Sequence, residues 1–169
     1  MKSVTEFPQE IATSGFGRAP THKSEVGFDL AVSPDKQTFT LTFDNLQIRI
    51  PPGKKQPIAT RVFYCALPLE ESGKGVEIAF YVQGYVFKPA GATATMMFSV
   101  NGQTTVADFP GTSDDGFLHE LKFAADKPSE CRLCVFLLVG QEKDSDAQPY
   151  LSVDSIDATI QPRPSVPRS

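Results

Sequence analysis

Between Gln37 and Asp44, apolar and polar residues alternate with a period of two, a spacing that fits a half-buried β-strand and does not fit a helix. Phe39, Leu41 and Phe43 occupy one phase, and Thr38, Thr40 and Thr42 the other. One face of this segment is therefore buried and the other wet. Leu46, Ile48 and Ile50 continue the pattern around Gln47 and Arg49 until Pro51-Pro52-Gly53 ends it. Pro52 brings no ladder donor, and Pro-Gly turns the chain.

Further strands are predicted over 25–32, 58–67, 76–87, 92–100, 103–109, 117–123, 131–139 and 150–160. Ser33-Pro34-Asp35, Glu71 to Gly75, Asn101-Gly102 and Asp114-Asp115-Gly116 provide the turns. Asn101-Gly102 is the most specific of these, because a two-residue Asn-Gly loop favours the type I′ turn whose twist matches a hairpin. No segment keeps helical apolar spacing over three turns. The expectation is an all-β fold, an antiparallel β-sandwich of jelly-roll-like kind with nine to ten strands. It forms one domain over 25–161, preceded by an extended lead-in, 1–24, and followed by a Pro-rich tail, 162–169. A chain of 169 residues can bury roughly 70% of its unfolded surface, enough for a core without staples.

Charge excludes one class of partner. With 16 basic and 20 acidic side chains and a formal net charge of -4, there is no basic footprint for nucleic acid. The longest apolar run, Cys134 to Val139, has a strand's length, well short of the 18 or so residues of a transmembrane helix. Met1 to Gly17 carries Glu6, Pro8, Gln9 and Glu10 where the apolar stretch of a secretory leader would stand.

Two strands are apolar in both phases. One is Cys131 to Val139. The other is Val76 to Phe87, with Ile78, Phe80 and Val82 on one side and Ala79, Tyr81, Tyr85 and Phe87 on the other. Each needs cover on its second side, from the chain's own tail or loops, or from a second copy or protein partner. In the last strand Leu151 and Val153 are out of phase with Ile156, Ala158 and Ile160, so a β-bulge is expected near Asp154-Ser155.

Three cysteines allow a disulfide with a spare thiol, or three free thiols. Cys131 and Cys134 spell C-x-x-C, but residues three apart on a strand point to opposite faces and neither pair nor chelate one metal. Cys65 and Cys131 share phases with core residues, which leaves open both a bridge between them and two reduced thiols, with Cys134 free.

Signatures of catalysis are sparse. His22 lies in the lead-in, and His119-Glu120 lacks the second histidine of a zinc-protease helix. No G-x-S-x-G elbow, P-loop or dinucleotide glycine pattern is present, and no catalytic set is assigned. Turn carboxylates such as Asp114 and Asp154 form the residual hydrolase reading, which needs two of them facing one cleft. Acidic pairs at turns, Asp154 with Asp157 foremost, could hold a structural calcium ion; otherwise no cofactor is expected. Tyr81, Tyr85 and Tyr150 are the candidate ligand-binding platforms, suited by ring and hydroxyl to a glycan.

The string Leu30-Ala-Val-Ser-Pro-Asp-Lys-Gln-Thr-Phe-Thr-Leu-Thr-Phe-Asp-Asn-Leu46 resembles the opening stretch of an uncharacterised extracellular β-protein family of bacteria and fungi, a domain of unknown function. Arg61 followed by Cys65, Cys131 on a late strand, and the closing Leu151 to Asp157 agree with it. The resemblance implies a small, secreted, disulfide-bearing β-domain, with the bridge mapped onto Cys65 and Cys131. The chain departs from the family in lacking Gly-Cys-Pro near its start, in its extra Cys134 and in its missing leader.

Together these features predict a non-enzymatic β-sandwich that acts as a binding or assembly module, secreted or surface-associated. The alternative is a carbohydrate-binding module with a structural calcium ion.

Overall fold

A computed structural model describes residues 26–51, 53, 57–69, 75–126, 130–143 and 145–163. The lead-in 1–24 with His22, the tail from 164 onward, and Asp144 lie outside the described residues. The alternating segment becomes β2 (Thr38–Phe43) and β3 (Gln47–Arg49), which follow β1 (Phe28–Val32). Then come β4 (Ile58–Pro68), β5 (Val76–Lys88), β6 (Ala92–Val100), β7 (Gln103–Asp108), β8 (Ser113–Ala125), β9 (Glu130–Gln141) and β10 (Tyr150–Pro162).

The ten strands form two antiparallel sheets. One runs β1-β2-β10-β5-β8, with β3 also on β10, and the other runs β4-β9-β6-β7. The chain is an all-β sandwich. Its phenylalanines lock the two layers together. Phe80 of β5 stands edge-on to Phe98 of β6, with ring centroids 5.2 Å apart, and to Phe123 of β8 at 5.7 Å. Nearer β1, Phe63 of β4 receives Phe28 at 5.6 Å and Phe43 at 4.8 Å. Phe63, Phe80 and Phe98 are fully buried, and such edge-to-face pairs add about 0.5–1.5 kcal/mol each beyond their area.

Local signals were realised closely. Asn101 (φ 49°) and Gly102 (φ 84°) both lie in the left-handed region, as a type I′ hairpin requires, and join β6 to β7. The β10 register shifts between Val153 and Ser155, the bulge that brings Leu151 and Ile156 onto one buried face. Gly84 of β5 lies alongside this irregularity. A Cβ there would stand 2.0 Å from the Ser152 carbonyl oxygen and 2.6 Å from the Phe117 ring, so only glycine fits.

Two boundaries differ from expectation. Asp114-Asp115-Gly116 is not a turn but the first part of β8, paired with Phe87, Val86 and Tyr85 of β5. Ladder pairing to the long β5 overrides the local turn preference of Asp-Gly. At the other end, β10 runs to Pro162 and Arg163 is anchored as well, its N–H donating to the Gly75 carbonyl at 3.0 Å and its guanidinium to Asp126 at 2.8 Å.

Candidate functional site

Strand parity gives each sheet an outer face, and the two are chemically unlike. On the six-stranded sheet β10 pairs Tyr150 with Phe87, Ser152 with Tyr85 and Asp157 with Tyr81. On its far side β5 pairs Tyr85 with Gly116, Phe87 with Asp114 and Tyr81 with Glu120. This face thus carries Tyr85, Phe87 and Tyr150 as neighbours. Tyr85 and Tyr150 have centroids 6.4 Å apart and tilted by 54°. The Tyr150 hydroxyl donates to Gln47 Oε1 at 2.8 Å, and the Tyr85 hydroxyl donates to Asp114 Oδ1. That hydrogen bond and the negative charge of Asp114 hold the Tyr85 phenol above its ordinary pKa.

Of the three tyrosines named from sequence, the structure therefore brings together Tyr85 and Tyr150. Tyr81 stands four residues along β5, beyond Gln83, and its hydroxyl lies 3.5 Å from Glu120 Oε1. Phe87 joins them in the same phase of β5 as Tyr85, a spacing that the sequence also carries.

The outer face of the four-stranded sheet carries an apolar centre flanked by hydroxyl residues, among them Thr60, Thr95, Ser99 and Thr104. One cross-strand row runs Val62, Phe136, Met97, Val106 over β4, β9, β6 and β7. Val62, Met97 and Val106 are 47%, 38% and 52% exposed. Leu138 and Cys134 flank Phe136 on β9, and Tyr64 pairs with Cys134. Among the described residues the charges on this face are peripheral. Asp108 on β7 accepts from Thr95 Oγ1 at 2.9 Å, and Glu130 and Arg132 pair with each other at the end of β9.

The cysteines divide by parity. Cys65 and Cys131 are buried, Cys134 is half-buried, and all three are thiols. The expected Cys65–Cys131 bridge is absent for a reason of register: Cys65 pairs with Leu133, and Cys131 with Leu67. The two thiols are thus diagonal neighbours, with Cα atoms about 7–8 Å apart, beyond the usual disulfide span. Burial pushes all three thiols up, Cys131 to about 12 with help from the charge of Glu130. None of them is an activated nucleophile.

The remaining carboxylates are scattered. Asp157 Oδ1 accepts from Thr40 Oγ1 at 2.5 Å, and Asp154 Oδ1 accepts from Ser152 Oγ at 3.2 Å. Among the described residues no group of three or more His, Cys, Asp or Glu gathers where it could hold a metal ion, so Asp154 and Asp157 are not joined by a third ligand. Asp114 and Asp154, the residual hydrolase pair, lie on strands separated by β5. His119 points inward on β8 against Phe109 and Phe117, at centroid distances of 5.6 and 5.2 Å. Among the described residues no helix is long and apolar enough to cross a membrane.

No family model and no curated protein matches the chain. Solved structures similar to it include a chain of infectious bursal disease virus, Gx strain, at 10% identity and TM-score 0.42, over 89% of this chain. The match spans about a third of the viral chain's length, 33%. A CBM22-1 xylan-binding domain from Paenibacillus barcinonensis Xyn10C is similar at 16% identity and TM-score 0.23, over 87% of this chain and 86% of that one. The class defined by the sheet order and register is an antiparallel β-sandwich with one polar-aromatic outer face and one with an apolar centre.

Proposed function

We propose that the chain is a non-enzymatic assembly module that joins a second copy of itself through the outer face of its four-stranded sheet. The observation that carries this reading is the outward row of exposed Val62, Met97 and Val106 with half-buried Phe136, its charges kept to the margins. Depletion of charge with enrichment of Met and aromatic residues is the composition of an interface core, and an apolar row of this extent is costly to leave in water. Four strands at about 4.8 Å and some ten residues at about 3.3 Å give a face of roughly 600 Å². Two copies would bury about 1,200 Å², the lower end for a specific interface, so association is expected to depend on concentration.

Export to the cell surface or the medium is part of the proposal and rests on the resemblance carried by residues 30–46 and 151–157. Light scattering between about 1 and 100 μM tests assembly. The expected result is a dimer that Val62→Glu and Met97→Glu each return to monomer with an unchanged melting temperature. A wild-type chain that stays monomeric throughout contradicts the proposal. So does one that dimerises only after residues 1–24 are removed, because the lead-in would then be the occupant of this face.

A further inference from the structure

We infer that the outer face of the six-stranded sheet is a binding site for a neutral saccharide chain, centred on Tyr85 and a notch over Gly116. The site lies on the opposite side of the sandwich from the proposed assembly face and stands independently of it.

The notch is the first observation. Gly116 pairs with Tyr85 across β5 and β8, at an outward position in the middle of a ladder. Its backbone does not demand glycine. It has no positive φ, and an added Cβ would meet nothing closer than the Gly84 carbonyl oxygen at 3.6 Å, an ordinary contact. The contrast with Gly84, where backbone forbids any Cβ, is direct. A strand-interior glycine weakens pairing and offers no side chain to pack. At position 116 its effect is to leave a floor of bare backbone beside the Tyr85 ring, on β8, a terminal strand of its sheet.

The second observation is the chemistry around the notch. Tyr85, Phe87 and Tyr150 offer adjacent ring surfaces, the first two exposed, while Asp114 and Gln83 stand among them. A sugar ring presents an apolar face of C–H groups and an edge of hydroxyl donors. Aromatic platforms match the face, and carboxylate and amide oxygens match the edge. Leu118, 62% exposed and opposite Gln83, adds an aliphatic contact on the same strand as Gly116.

Charge selects the class of chain. Asp114, Glu120 and Asp157 project from this face and outnumber the cations Arg49, opposite Tyr150 on β3, and Lys122, which pairs with Glu120 at 3.3 Å. An anionic polysaccharide would be repelled, whereas a neutral one donates hydroxyl hydrogens to the same carboxylates.

Titration calorimetry with cello-, xylo- and maltohexaose as neutral probes, and a heparin hexasaccharide as anionic control, tests the site. At least one neutral hexaose should bind and the anionic one should not. Tyr85→Ala should weaken binding by about tenfold or more. Gly116→Val should do the same while leaving the melting temperature unchanged or higher, which separates a blocked notch from a damaged fold. Val62→Glu, on the other face, should leave affinity unchanged. The inference is overturned if no neutral hexaose binds, if heparin binds more tightly, or if Gly116→Val binds as well as wild type.

Discussion

The two outer faces obey the same parity rule and reach opposite compositions. On the six-stranded sheet, β2 turns Thr38, Thr40 and Thr42 to solvent, β10 adds Asp157, and β8 adds Asp114, Glu120 and Lys122. On the four-stranded sheet the corresponding positions of β4, β9, β6 and β7 are Val62, Phe136, Met97 and Val106. Nothing in sandwich packing requires this difference, since both inner faces are filled by the same core. The difference therefore reports what each face meets. A face rich in carboxylates and rings suits a hydrated ligand, and a face whose centre is a row of aliphatic, Phe and Met side chains suits removal of that row from water.

The comparison presumes that one shared core carries both faces. Phe80→Ala tests this most severely. It removes the ring that joins Phe39, Phe98 and Phe123 and should cost about 3–5 kcal/mol in urea unfolding, with loss of binding on both faces together. Loss on one face alone would show that the two sheets unfold separately.

Next in size is an alkaline contrast between the two sides of β9. The folded chain holds the Cys131 proton to about pH 12, against an ordinary value of 9.0. Above about pH 9 the unfolded chain releases a proton that the folded chain keeps, so stability falls as pH rises toward 12, by about 1.4 kcal/mol per pH unit for this thiol. Cys131→Val should lessen the decline in urea midpoint between pH 9 and 11, leaving the share of Cys65, whose thiol burial also pushes well up. Cys134→Val, on the half-buried outer side, should alter it less. Equal effects would mean that the inside and outside of β9 are not distinguished as described.

The two glycines of the polar sheet sharpen the comparison further. Gly84→Ala should destabilise by about 1–3 kcal/mol, because its Cβ meets backbone. Gly116→Ala should stabilise by up to about 1 kcal/mol, because its Cβ makes only an ordinary contact, 3.6 Å from the Gly84 carbonyl oxygen. Thermal melts of the pair decide this. Two destabilised variants would mean that the notch is structural.

Legibility from sequence followed the range of the interactions. The Gln37–Asp44 alternation, the Asn101-Gly102 hairpin and the β10 bulge are readable because each is set within a few residues. The apolar side of Cys131 to Val139 was readable for the same reason. Its continuation over Val62, Met97 and Val106 was not. Each is a single apolar residue on an otherwise polar phase, and only cross-strand register makes them a row. Asp114-Asp115-Gly116 misled because its local turn chemistry yields to thirteen residue pairs along β5 and β8. Whether Cys65 and Cys131 meet also depends on register, which sets them two residues from direct opposition. Tyr81, Tyr85 and Tyr150 could be named individually, but their grouping depends on how β10 lies on β5.

The assembly claim turns on whether the apolar face is open to solvent, and Cys134 is a reporter in its midst. Cys65 and Cys131 are buried, so Cys134 is the thiol that alkylates first. Its labelling rate with iodoacetamide, followed by intact mass as protein concentration rises from about 1 to 100 μM, tests the account directly. The account predicts that the rate falls several-fold with concentration and that Val62→Glu removes the fall. A rate independent of concentration would contradict it.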